Sequence, residues 1–176
     1  MKCDFDPIYI TKMQGHRVPR FFAIYTLVFL IVNLMCPLCD VRAEEEQFNK
    51  QGEMIFSRQT DAQKIAQIDI EISDTPLKMA QGLMRRSFLP QNAGMLFIFH
   101  TSKRLTFWMK NTFIPLDIIF VSENWKIVTI QKNTIPLSEE PILSLKEAKY
   151  VVEVNSGFCD KHRIKEGDSI NLKRTD

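Results

Sequence analysis

A mainly β domain, a compact antiparallel sandwich or barrel with one or two short helices, is the fold that this sequence predicts. Three observations predict it. About seven short apolar or alternating segments follow one another from Ile68 to Leu172. Turn signals separate them, at Asn92 and Gly94, Pro115, Ser122-Glu123-Asn124, Asn155-Ser156-Gly157 and Lys165-Glu166-Gly167-Asp168. No alternation of strand and helix patterns appears, which argues against a parallel α/β sheet.

The elements follow in order. Ile68, Ile70 and Ile72 alternate with Asp69, Glu71 and Ser73, the period of a half-buried strand with its polar residues on the solvent side. Thr75 is a good N-cap, Pro76 suits the first helical position and Gly82 suits the residue past the end, so a short helix lies between them. Met95-Leu96-Phe97-Ile98-Phe99 is a short aromatic-rich run entered by a turn, which predicts a buried strand. Leu105 to Thr112 reads as another extended segment, broken by Phe113-Ile114-Pro115. Asp117 to Val121 and Trp125 to Gln131 form strands around a hairpin loop. Pro136 and Pro141 mark a long loop, and Ala148 to Val154 and Ser169 to Leu172 supply the last strands.

Ahead of this lies a different kind of segment. Lys12, Arg17 and Arg20 precede the apolar run Phe21 to Met35, and Val41-Arg42-Ala43 offers small residues three before and one before Glu44. Basic, apolar, small is the order of a cleavable signal peptide, and the run is shorter than the ~20 residues of a spanning helix. The expected organisation is a signal peptide over 1–43, a flexible polar leader over 44–66 and a single β domain over 67–174. The expected place is the periplasm or cell envelope, with no stable membrane insertion after cleavage; an uncleaved inner-membrane anchor is the alternative. Of the 23 basic and 21 acidic residues, five and three respectively lie before Glu44, so the remainder is neutral. A neutral domain does not point to nucleic acid, which wants a basic surplus on one face. Cys3, Cys36 and Cys39 leave with the signal, so only Cys159 remains: a reactive thiol or, more often, a small buried hydrophobe.

Five residues are candidates for binding: Trp108, Lys110, Asn111, Asp117 and Glu153. In an extended segment Trp108, Lys110 and Thr112 share one face, and a ring beside a donor is a surface for sugars or other flat ligands. The plainer reading has Trp108 at the core edge with Lys110 snorkelling over it. Asp117 stands between Leu116 and Ile118 in an apolar strand, where a carboxylate is costly unless partnered. It is a site acid, base or ligand contact, or it caps the turn after Pro115. Glu153, between Val152 and Val154, has the same character, with an outward alternating position as its plainer reading. Cys159-Asp160-Lys161-His162 does not amount to a metal site, and the sequence carries no nucleophile signature, phosphate loop or dinucleotide fingerprint, so no cofactor or metal is expected.

Several strings stand together: Gly82-Leu83-Met84-Arg85, Gly94-Met95-Leu96-Phe97, Phe107-Trp108-Met109-Lys110-Asn111-Thr112, Ile114-Pro115-Leu116-Asp117-Ile118-Ile119-Phe120, Val152-Glu153-Val154-Asn155-Ser156-Gly157, and Gly167-Asp168. From about Ile68 to Leu172 the chain resembles the domain of unknown function 192 family of bacteria and archaea. Where many members have Ala before the motif glycine, this chain has Ser156. The resemblance implies a compact β sandwich, often exported. It implies no reaction, cofactor or catalytic residue, because none is established for the family.

Three function classes follow from these residues. The first is an envelope binding module for a small molecule or glycan, using the Trp108 face. The second is a small hydrolase or lyase of envelope polymers with Asp117 and Glu153 as acid and base, which requires the two carboxyls to converge in a pocket. The third is a structural adaptor that binds a partner protein through a sheet edge.

Overall fold

The computed structural model describes residues 47–175, and the predicted signal peptide lies outside them. Among the described residues, nine strands and two short helices follow one another: β1 (Gly52–Ser57), β2 (Lys64–Ser73), α1 (Pro76–Gln81), β3 (Ala93–Lys103), β4 (Thr106–Phe107), β5 (Leu116–Val121), β6 (Ile127–Gln131), β7 (Ile142–Leu143), β8 (Ala148–Asn155), α2 (Phe158–Lys161) and β9 (Ser169–Arg174). The mainly β class is as expected.

Seven strands form one sheet in the order β6-β5-β8-β3-β2-β1-β9, and β4 and β7 form a separate two-stranded ribbon. All pairs are antiparallel except β2 with β3, which the α1 crossover makes parallel. The edge strands meet only at a corner, where Lys126 bridges Ser169, so the sheet is not closed into a barrel.

Both faces of the sheet are covered. Strand β5 shows this in its sequence: all six residues are buried, with Ile119 and Val121 in one core and Leu116, Ile118 and Phe120 in the other. The first core gathers Met54 and Phe56 of β1, the three alternating isoleucines of β2, and Phe158 and Cys159 of α2. The second lies under the loop after α1, through Leu83 and Leu89, and under Leu105 and Met109 beside the ribbon. A sheet buried on both sides abolishes the clean polar-out alternation that one solvated face would impose.

Three expectations need correction for this reason. The leader over 44–66 is not a leader from Gly52 onward: β1 is a strand between β2 and β9, and Met54 and Phe56 are fully buried. Glu71 and Ser73 do not face solvent; they point into the second face beneath the α1 loop and are buried. The segment from Leu105 to Thr112 is a strand only at Thr106 and Phe107. After Trp108 the chain turns, with the Thr112 N–H donating to the Met109 carbonyl at 3.0 Å. Asn111 takes φ 56°, a conformation that Asn tolerates better than most residues.

The helix prediction is met in detail. The Thr75 hydroxyl accepts from the Lys78 N–H at 3.4 Å, Pro76 opens the helix and Gly82 ends it at φ 50°.

Candidate functional site

Gly82 connects the end of α1 to the second face of the sheet. Its φ of 50° with ψ −133° is a region open in practice only to glycine. The missing side chain matters for a second reason. A Cβ there would lie 3.2 Å from the Phe97 ring and 3.9 Å from Glu153 Oε2, so the backbone passes close over both. Three residues on, Arg85 at φ 64° donates its N–H to the Asn111 carbonyl at 2.7 Å. This bond ties the Gly82–Arg85 loop to the turn that carries Trp108.

Between loop and turn opens a cleft of about 330 Å³. Its wall is aromatic: Phe97 and Phe99 from β3, Phe107 from β4, and Trp108. Phe107 is the hub, meeting Phe97, Phe99 and Phe120 edge-on at centroid distances of 5.2, 6.2 and 5.8 Å, a favoured geometry for ring pairs. Trp108 stays 52% exposed, with Lys110 Nζ 5.6 Å from its ring centre and in turn 3.3 Å from Glu139.

Glu153 is the only ionisable side chain lining this cleft among the described residues. It is 6% exposed, and its carboxyl has no hydrogen-bond partner among the described residues. Burial pushes its pKa up to about 8, against the opposing pull of the Arg86 guanidinium. At neutral pH it is therefore largely an uncharged carboxylic acid, a hydrogen-bond donor set among rings. Arg86 itself is buried and held by Glu71 at 2.6 Å, whose other oxygen accepts from the Asn49 N–H at 2.6 Å.

Asp117 is placed elsewhere. It opposes Val154 across the ladder while Glu153 opposes Ile118, so the two carboxyls point to opposite faces of the sheet. Asp117 is wholly buried, and its two oxygens accept from the backbone N–H groups of Asn133 and Cys159, both at 2.9 Å. It ties the loop after β6 to the first turn of α2. An acid–base pair of Asp117 and Glu153, the arrangement that a hydrolase or lyase reading needs, is thereby ruled out by register. Asn111 presents its backbone rather than its side chain to its neighbour. Of the five candidates, then, Trp108 and Glu153 share the cleft, Lys110 packs over Trp108 from outside it, and Asn111 and Asp117 hold the chain in place.

Cys159 is buried, and its thiol pKa is raised by burial first and by the neighbouring Asp117 carboxylate second, which makes it a poor nucleophile. Sequence reasoning missed Phe107, Glu71 and Arg86. The only signal for the last two was a second arginine in the Arg85-Arg86 pair and a carboxylate late in an alternating strand.

These features define a small, mainly antiparallel β domain with an aromatic cleft and a buried acid on one face. Residues 57–172 match DUF192, Uncharacterized ACR, and the chain belongs to that family. Solved structures similar to this one include these two. One, from Sinorhizobium meliloti 1021, is described as a candidate transcription regulator: 30% identical, 72% of this chain and 95% of that one covered, TM-score 0.66. The other, from Novosphingobium aromaticivorans DSM 12444, is a protein of unknown function: 32% identical, 68% and 83% covered, TM-score 0.64. No curated protein matches the chain.

Proposed function

We propose that this chain is an exported binding domain for a small molecule or glycan, with the ligand seated in the cleft between Trp108 and Glu153. The observation that carries the reading is an exposed tryptophan and a buried carboxyl lining one aromatic-walled cleft. Ligand sites combine such apolar walls with a few placed polar groups. A flat ligand would lay one face against Trp108 and Phe107 and offer an acceptor to the Glu153 proton.

The test uses Trp108 as its own reporter. Trp125, the other tryptophan, stacks on Tyr150 at 4.0 Å on another part of the molecule. A Trp125→Phe protein isolates the Trp108 fluorescence, and a panel of soluble metabolites and saccharides is titrated against it. At least one compound should shift or quench the emission saturably, and Trp108→Ala should abolish its binding by calorimetry. Failure of every compound to bind overturns the reading.

Export rests on the basic, apolar and small-residue order that ends at Ala43. Mass spectrometry of the native protein should find an N-terminus near Glu44. Intact Met1 in a membrane fraction would replace the cleaved form with an anchored one.

A further inference from the structure

A second cavity, of about 190 Å³, adjoins the first. Gln81 and Gly82 line both. The sheet register fixes their spacing. Glu71 of β2 opposes Met95 of β3, and Met95 opposes Glu153 of β8, so the two glutamates stand in one row on one face. Two interstrand steps separate them, about 10 Å.

The lining of this second cavity differs in kind. Where the first is aromatic, this one is mixed, with Asn49, Gln51, Ser73 and the Glu71–Arg86 pair beside Ile72 and Met95. Ser73 is 1% exposed, lies two residues from Glu71 on the same face, and its hydroxyl has no hydrogen-bond partner among the described residues. Buried hydroxyls are nearly always satisfied, so an unpaired one in the wall of such a cavity marks a place for a ligand group or a bound water. Gln51 spends its carbonyl oxygen on the Ile72 N–H at 2.7 Å, which leaves its amide hydrogens to donate.

Charge narrows the ligand. Both cations that the described residues place at this cavity are matched, Arg86 by Glu71 at 2.6 Å and Lys78 by Asp74 at 3.8 Å, so among those residues no surplus positive charge invites an anion. What remains are carboxamides and a hydroxyl, groups that both donate and accept. Their complement is a ligand whose own groups do both, namely hydroxyls.

We infer that the two cavities are adjacent subsites for a short oligosaccharide, one sugar ring stacked on the Trp108 wall and the next hydrogen-bonded by Ser73 and Gln51. This rests on the cleft reading above and extends it to a ligand class and a second site.

The experiment titrates the Trp125→Phe protein with chito-, cello- and malto-oligosaccharides of one to four sugars, by calorimetry and Trp108 fluorescence. One series should bind, with affinity rising at least tenfold from the monosaccharide to the disaccharide or trisaccharide. Ser73→Ala, which removes an unpaired buried hydroxyl and should fold at least as well, is expected to weaken the longer ligand about three- to tenfold and leave the monosaccharide unchanged. Affinity independent of length, or unaffected by both Ser73→Ala and Gln51→Ala, overturns the second subsite and leaves the cleft reading intact. Binding of an apolar compound at Trp108 with no saccharide bound overturns the ligand class alone. No Trp108-dependent binding of any compound overturns the cleft reading and this inference with it.

Discussion

Asp117 and Glu153 lie on neighbouring strands one register step apart, yet their carboxyls never share a side of the sheet. One is ringed by backbone N–H donors at 2.9 Å, and the other has no hydrogen-bond partner among the described residues. Two acidic residues that look alike in the sequence thus do opposite work: Asp117 builds the scaffold, and Glu153 faces the cleft.

For Asp117 the expectation is structural. Asp117→Asn replaces one accepting oxygen with an NH₂ that confronts a backbone N–H, either of Asn133 or of Cys159. The loss should be about 1–3 kcal/mol in urea unfolding. Binding at the Trp108 cleft, measured on the folded variant, should be unchanged. A variant as stable as the parent would show that the two bonds contribute nothing.

Glu153 should make stability pH-dependent in a definite direction. Its folded pKa, about 8, lies above the ordinary 4.5, so the folded state holds a proton that the unfolded chain has already released. Stability is full below pH 4.5 and falls through the window up to about 8, by at most ~1.4 kcal/mol per pH unit. Glu153→Gln lacks this slope. Denaturant unfolding at several pH values should find the variant gaining on the parent as pH rises, with no further gain above pH 9. A constant difference across that range would mean that Glu153 titrates normally.

The Arg86–Glu71 pair is buried, so removing either side chain breaks a buried, charge-assisted hydrogen bond. Arg86→Met and Glu71→Gln should each cost about 3–5 kcal/mol, and the double variant less than the sum. Arg86 also holds the Glu153 pKa down, so Arg86→Met should move that titration above 8, readable by carbon NMR of the carboxyl. Additive losses and an unmoved titration would sever the three residues from one another.

Gly82→Ala should be destabilising by about 1–3 kcal/mol, because φ 50° with ψ −133° is closed to a side chain. The new Cβ would also press on the Phe97 ring, 3.2 Å away. Ligand binding in the cleft should fall together with stability. A stable Gly82→Ala protein would mean that the loop relaxes into another conformation, and thermal melts decide this directly.

Much of the fold could be read from local patterns. The helix from Pro76 to Gln81 is written in Thr75, Pro76 and Gly82, since capping and backbone freedom are properties of single residues. Strand β5 announces itself as a run too apolar to face water, apart from Asp117. Strand β1 did not, because two buried residues, Met54 and Phe56, in a polar stretch make no pattern until β2 and β9 flank them.

The candidate site was legible in composition and not in arrangement. Trp108 and Glu153 stand out as residue types, but nothing local brings positions 45 residues apart together, or turns the chain at Asn111 instead of extending it. Which face a carboxylate takes depends on strand register, set by pairings such as Ile118 with Glu153 that span the chain. Whether that face is wet depends on what covers it, here the loop from Gly82 to Leu89. The sequence by itself therefore determined the β class, the short helix and the residue types available for binding. Only the tertiary structure decided which of them meet, because burial and register arise from contacts between distant segments rather than from neighbours along the chain.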